Sequence, residues 1–108
     1  MALQVAALSL EVIAALRPLV PRVRRCDRSL ADQLVRAASS VALNIAEAEY
    51  SDPGNRRARF FTAAGSANEA LAALNVAVAW GHFAAADAAT AEGLLRRVLQ
   101  MLWRLTRP

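Results

Sequence analysis

Two glutamates, Glu47 and Glu69, are the side chains of this sequence best suited to acid–base chemistry. Paired carboxylates can share the roles of general acid and general base, and carboxylates inside helix bundles also bind metal pairs. Such metal sites need Glu-x-x-His pairs, and the single histidine, His82, follows neither glutamate at that spacing. We therefore expect no metal and no cofactor. An enzyme that uses the two glutamates is the least favoured of three hypotheses.

Both glutamates belong to polar stripes at helical spacing, where positions i, i+4 and i+7 share one helix face. The first stripe is Ser40, Asn44 and Glu47, and the second is Thr62, Ser66 and Glu69. If the two stripes face each other, their hydrogen bonds would fix the register of the two helices. We favour this structural role over catalysis.

An antiparallel turn near Pro53 predicts which residues of the two stripes meet. The expected neighbours are Asn44 with Ser66, Glu47 with Thr62, Ser40 with Glu69 or Ala70, and Arg36 with Glu69 and Ala73. A glycine inside the second helix, Gly65, has no Cβ and would let the two backbones approach closely. The predicted polar layer consists of Arg36, Ser40, Asn44, Glu47, Gly65, Ser66 and Glu69.

Arginine supplies all 13 basic residues of a chain with a net charge of +4. The planar guanidinium suits bidentate phosphate contacts, although GC-rich codon bias also explains a chain rich in Ala and Arg. In an up-down-up-down bundle the arginines fall into two groups at opposite ends. One group is Arg56, Arg57, Arg59, Arg104 and Arg107, and the other is Arg22, Arg24, Arg25 and Arg28. Arginines at the start of a helix oppose its dipole, so the first group is the better candidate for binding an anion.

Apolar periodicity predicts an all-α fold, an antiparallel four-helix bundle in one domain over residues 1–108. The predicted helices cover residues 2–16, 29–50, 56–80 and 87–105, and residues 22–28 form a basic connector. Asp27 or Ser29 is expected to cap the second helix, Gly81 to close the third and Asp87 to cap the fourth. The first and fourth helices carry more apolar surface than one bundle needs, which predicts self-assembly. Trp80 and Trp103 are expected in the core or in an interface, not as a platform for stacking bases.

The lone cysteine, Cys26, is expected to be an ordinary loop residue and fits a reducing, cytoplasmic location. Residues 1–16 are apolar, but they are shorter than the roughly 20 residues that span a bilayer. No positive charge precedes them, as one would in a signal sequence. We therefore expect neither a signal sequence nor a membrane partner.

Paired motifs within residues 32–83 resemble a known family. Asn44, Ile45, Ala46 and Glu47 form Asn-Ile-Ala-Glu, and Gly65, Ser66 and Glu69 form Gly-Ser-x-x-Glu. This pair of motifs is similar to that of the four-helix bundle protein family, also called the 23S rRNA intervening-sequence proteins. Ala48 stands where the family usually has Gly, and residues 51–54 carry fewer cations than relatives often have at this turn.

The resemblance implies a homopentameric ring of bundles and no enzymatic activity. A related branch comprises accessory proteins of diversity-generating retroelements, which bind reverse transcriptase and nucleic acid. We therefore predict an oligomeric, non-enzymatic protein that binds RNA, DNA or a nucleic-acid-processing protein through its arginines. The alternative hypothesis is a protein–protein interaction scaffold whose charge reflects codon bias.

Overall fold

The computed structural model describes residues 2–107, which form five α-helices and no strand. The helices are α1 (Ala2–Leu16), α2 (Val20–Cys26), α3 (Arg28–Ala48), α4 (Pro53–Ala79) and α5 (Ala85–Thr106). The all-α prediction is confirmed, and the bounds of the first helix agree with those predicted. The prediction of four helices missed α2, because the expected basic connector is itself a short helix.

The helix α2 forms because both prolines of this segment lie where a helix tolerates them. Pro18 lies in the turn after α1, and Pro21 lies in the first turn of α2, where a missing N–H removes no helical hydrogen bond. Cys26 is therefore the exposed last residue of a helix, not a loop residue. Asp27 then caps α3, with its Oδ1 accepting a hydrogen bond from the Leu30 N–H at 3.0 Å.

The helix α4 begins three residues earlier than predicted. Asp52 caps it, with Oδ1 accepting from the backbone N–H of Asn55 at 3.0 Å, and Pro53 occupies the first turn. The backbone and side-chain hydrogen bonds from Asn55 lower the pKa of Asp52 below its ordinary value of 3.8. Residues that usually break helices therefore start this one, and the connector from α3 shortens to residues 49–52.

Gly81 closes α4 as predicted, with a φ of +78° in the left-handed region. At the start of α5 the predicted cap residue was wrong by three positions. Ala84 is the N-cap residue, and Asp87 lies three residues into the helix, where its Oδ2 accepts from the Ala84 N–H at 3.2 Å. This is the position at which an acidic side chain reaches back to the helix start.

Four long helices surround one apolar core, with α3 against α4, α4 against α5, and α1 against both α5 and α3. The short α2 packs on α3. A hydrogen bond from Arg57 Nε to the Thr106 carbonyl, at 2.8 Å, places the start of α4 beside the end of α5. An ion pair between Arg22 and Asp87 places α2 beside the start of α5. The two predicted arginine groups therefore lie near opposite ends of a molecule that is 42 Å long.

Small side chains line the buried face of α4. Its fully buried residues include Ala63, Ala67, Ala70 and Ala77, with Phe60 and Leu74 as the large members. The facing helices supply larger groups, among them Leu34, Ile45, Leu95 and Leu102. Because alanine projects little from a helix, neighbouring helices can lie close to α4.

In the described part of the chain, no single helix is both long enough and apolar enough to cross a membrane. Only α1 and α2 taken together are long enough and apolar enough, and the two helices are bent by 50° at the break between them.

Candidate nucleic-acid interface

The polar stripes of α3 and α4 meet at a pair of serines. The Oγ atoms of Ser40 and Ser66 are 2.8 Å apart. Asn44 Nδ2 donates to the Ser40 carbonyl at 2.9 Å and to Ser40 Oγ at 3.1 Å. The structure therefore pairs Ser40 with Ser66, one helical turn away from the expected pairing of Asn44 with Ser66. The early start of α4 explains this difference, because a shorter connector moves the point about which the helices fold.

The charged members of the predicted layer do not join the serine pair. Glu47 pairs with Arg59 at 3.0 Å instead of lying against Thr62, and both side chains of this ion pair are about half exposed. Glu69 and Arg36 are exposed, and neither has a hydrogen-bond or ion-pair partner within residues 2–107. The two glutamates therefore share no hydrogen-bond network of the kind that an acid–base pair uses.

The backbones of α3 and α4 do not come into close contact at Gly65, as its position had predicted they would. It is exposed, and a Cβ built on it would meet no atom within 4 Å. The stripe that carries Gly65 turns partly toward solvent. The buried side of α4 is formed instead by alanines such as Ala63 and Ala70.

Two of the four arginines near α2 pair with carboxylates. Arg22 pairs with Asp87 at 3.4 Å, and Arg24 pairs with Asp32 at 2.5 Å. Arg25 is exposed on α2, and Arg28 is exposed at the start of α3. The two ion pairs leave this group with less charge for an external anion than its sequence suggests.

The arginines at the start of α4 and the end of α5 lie mostly on aromatic rings. The guanidinium carbon is 5.3 Å from the ring centroid for Arg56 over Phe60, and 5.4 Å for Arg57 over Phe61. The tightest of these contacts is Arg107 over Trp103, at 3.9 Å. Cation–π contacts of this kind hold a guanidinium in place without neutralising its charge.

The parts of α4 and α5 at this end carry no carboxylate of their own, although Asp52 directly precedes α4. Residues 53–68 and 93–108 contain seven arginines and no Asp or Glu. Within residues 2–107, the ion pairs at this end involve Arg59 with Glu47 of α3, whereas Arg56, Arg57, Arg104 and Arg107 pair with no carboxylate. We call these four residues, with Phe61 and Trp103, the α4–α5 patch.

Both tryptophans lie on the surface of the chain, so the core alternative of the prediction is wrong, and the interface alternative stays a prediction. Trp80 is 73% exposed and Trp103 is 57% exposed. Their apolar neighbours in the sequence suggested burial, but each falls on the outer side of its helix. The signal that could have identified Trp103 is the arginine at i+4, a spacing that brings a cation over the ring.

A metal site is not indicated by the described side chains, among which no group of three His, Cys, Asp or Glu residues could hold an ion. His82 lies half-buried in the turn after α4. Its backbone N–H donates to the Ala77 carbonyl at 3.0 Å, while its buried Nε2 has no partner among residues 2–107.

Comparison with known proteins places the chain in a family of undefined activity. The family described as "23S rRNA-intervening sequence protein" matches residues 3–104. A crystal structure from Bacteroides thetaiotaomicron VPI-5482, described as a protein of unknown function from the S23 ribosomal protein family, has a TM-score of 0.86 and 18% identity. The alignment covers 96% of this chain and 99% of that one, which shows a shared fold. No curated protein matches the chain.

Proposed function

Because the chain belongs to the 23S rRNA-intervening sequence protein family, we propose that it is a non-enzymatic protein that binds nucleic acid through the α4–α5 patch. In this proposal α1, α3, α4 and α5 form an antiparallel four-helix bundle, and α2 extends α1. The single observation that carries the proposal is the set of four arginines at this end of α4 and α5 that pair with no carboxylate within residues 2–107.

The chemistry of the patch favours phosphate over other anions. A guanidinium presents a planar fork of donors that matches a phosphate, and several of them along one face match a phosphate backbone. Arg56, Arg57 and Arg107 rest on rings, so their positions are restricted before any ligand arrives. An exposed ion pair would have competed with phosphate for the same donors, and these residues have none in the part of the chain that the structure describes.

The salt dependence of binding tests this proposal. Each cation that contacts a phosphate of a single strand contributes about 0.7 to the slope of log K against log salt, so four cations contribute about 3. Over about 50 to 200 mM salt, this slope corresponds to a roughly 50-fold loss of affinity. We expect the variant R56Q/R57Q/R104Q/R107Q to lose most of this slope for an oligonucleotide.

The matched control is R22Q/R24Q, which removes cations that already pair with carboxylates. This control should keep the slope of the parent protein. Absence of binding at low salt, or equal slopes for the two variants, would contradict the proposal. Circular dichroism melts of both variants show whether the fold is kept.

Self-assembly is a second proposal, and exposed leucines favour it. Leu3 is 79% exposed and Leu10 is 63% exposed, and their spacing of seven residues places both on one face of α1. Leu43 on α3 is also 63% exposed. A homo-oligomer, with the pentamer favoured by family resemblance, would cover such leucines. Light scattering that gives the mass of one chain at working concentration would reject it.

A further inference from the structure

The geometry points to Trp103 as a stacking platform for unpaired bases, so that the α4–α5 patch binds single-stranded segments in preference to duplexes. This inference rests on the proposed function and names the form of nucleic acid that the patch recognises. It depends on three observations, namely the exposure of the indole, the position of Phe61 across the helix pair, and the charge around both rings.

The indole of Trp103 contacts an arginine and is exposed over much of its surface. Arg107 lies over the ring at 3.9 Å from its centroid, which is a contact distance. The residue is nevertheless 57% exposed, so a large part of the ring surface faces solvent. Leu99, Gln100 and Arg104 line a shallow depression of about 370 Å³ beside it. A flat base can therefore stack on the ring while Arg107 and Arg104 stay close to the adjoining phosphates.

A second exposed ring lies at the same level on the neighbouring helix. The hydrogen bond from Arg57 Nε to the Thr106 carbonyl places these two residues at about the same level of the pair α4 and α5. One turn further along α4 is Phe61, and one turn back along α5 is Trp103. Phe61 is 51% exposed, with Arg57 over its ring. The two rings therefore lie at matching positions along the helix pair, each with its own arginine.

The surroundings select a nucleic acid with unpaired bases over an apolar protein surface. An apolar partner would have to desolvate four guanidinium groups that have no carboxylate partner within residues 2–107, which is costly. A strand of nucleic acid offers phosphates to the guanidinium groups and ring faces to the aromatic groups. In a duplex the base faces are already stacked on one another, so a duplex can use the arginines but not the indole.

Tryptophan fluorescence reports directly on stacking, since the chain has two tryptophans in different places. The variant W80F leaves Trp103 as the single reporter, and the variant W103F leaves Trp80. We expect oligouridylate and oligo(dT) to quench W80F strongly and W103F weakly. An RNA duplex of matched length should change both variants little, and the ratio of RNA to DNA affinity shows whether the 2′-hydroxyl contributes.

Affinity measurements complete the test with a control of the same chemistry. We expect W103L to weaken binding of single strands by about 5- to 150-fold, the range for loss of one stacked base, and to leave duplex binding unchanged. W103Y should keep most of the affinity, and W80L should bind as the parent protein does.

Two results would overturn the inference while leaving the proposed function standing. One is equal quenching of Trp103 fluorescence by single strands and by duplexes. The other is an equal loss of affinity for single strands and for duplexes in W103L. A change of oligomeric mass in W103L, with unaltered affinity per chain, would assign Trp103 to a protein interface instead. If no nucleic acid binds at low salt, the proposed function itself fails.

Discussion

Replacing Asn44 by Ala tests whether the polar contacts between α3 and α4 stabilise the fold. The Asn44 amide donates to Ser40 Oγ, so the Ser40 hydroxyl is free to donate to Ser66 Oγ across the helix pair. All three residues are half-buried. Removing the amide leaves Ser40 Oγ without that donor, and leaving a partly buried polar group without its partner costs about 1–2 kcal/mol.

We expect the net effect of N44A to be smaller than the hydrogen-bond contribution alone, because Ala is a better helix former than Asn by about 0.6 kcal/mol. Asn68 provides the matched control, since it is exposed on α4 and has no side-chain hydrogen bond within residues 2–107. We expect N68A to be neutral or slightly stabilising. The difference between N44A and N68A should then be about 1–2 kcal/mol, which isolates the polar contacts.

Chemical denaturation at matched protein concentration is the appropriate assay, because assembly would make a melting temperature depend on concentration. The variant E69A should change the free energy of unfolding by less than about 0.5 kcal/mol, since Glu69 is exposed and has no partner in the described part of the chain. Equal free energies for N44A and N68A would refute the reasoning. So would a large loss in E69A.

Three further substitutions test the backbone and the α4 cap. G65A should raise the free energy of unfolding by about 0.5–1 kcal/mol, since Ala adds helix propensity and its Cβ meets no atom within 4 Å. G81A should lower the free energy of unfolding by about 1–2 kcal/mol, because the φ of +78° strains any residue with a Cβ. Similar free energies of unfolding for G65A and G81A would contradict both expectations. The lowered pKa of Asp52 means that its carboxylate stabilises the fold above its ordinary pKa, and that this contribution is lost as pH falls through the lowered value. In acid denaturation, D52N should keep the cap and lack this part of the pH dependence, and an unchanged profile would reject the assignment.

Helical periodicity was sufficient to predict the long helices, because their buried positions repeat with the spacing of a helix face. The bounds near α4 were wrong because Pro53 and Gly54 are common in turns and also allowed in a first helical turn. The choice between these roles depends on Asp52, whose carboxylate caps the helix. A single error of this kind moved the predicted pairing of α3 with α4 by one turn.

Only part of the candidate site could be predicted from the sequence. The grouping of arginines near the two ends was predictable from helix order. Which of these arginines pair with a carboxylate was not predictable, since ion pairs such as Arg22 with Asp87 join residues far apart in the chain. The exposure of Trp103 also depends on which side of α5 meets α1 and α4, which local spacing does not specify.

The alanine face of α4 restricts how this protein can change over evolutionary time. Positions such as Ala63, Ala67 and Ala70 are fully buried, so almost any larger residue would force the helices apart. The facing positions Leu34 and Leu95 can exchange with other apolar groups when their neighbours adjust. Substitutions in the core should therefore accumulate on α1, α3 and α5, while the buried alanines of α4 stay unchanged.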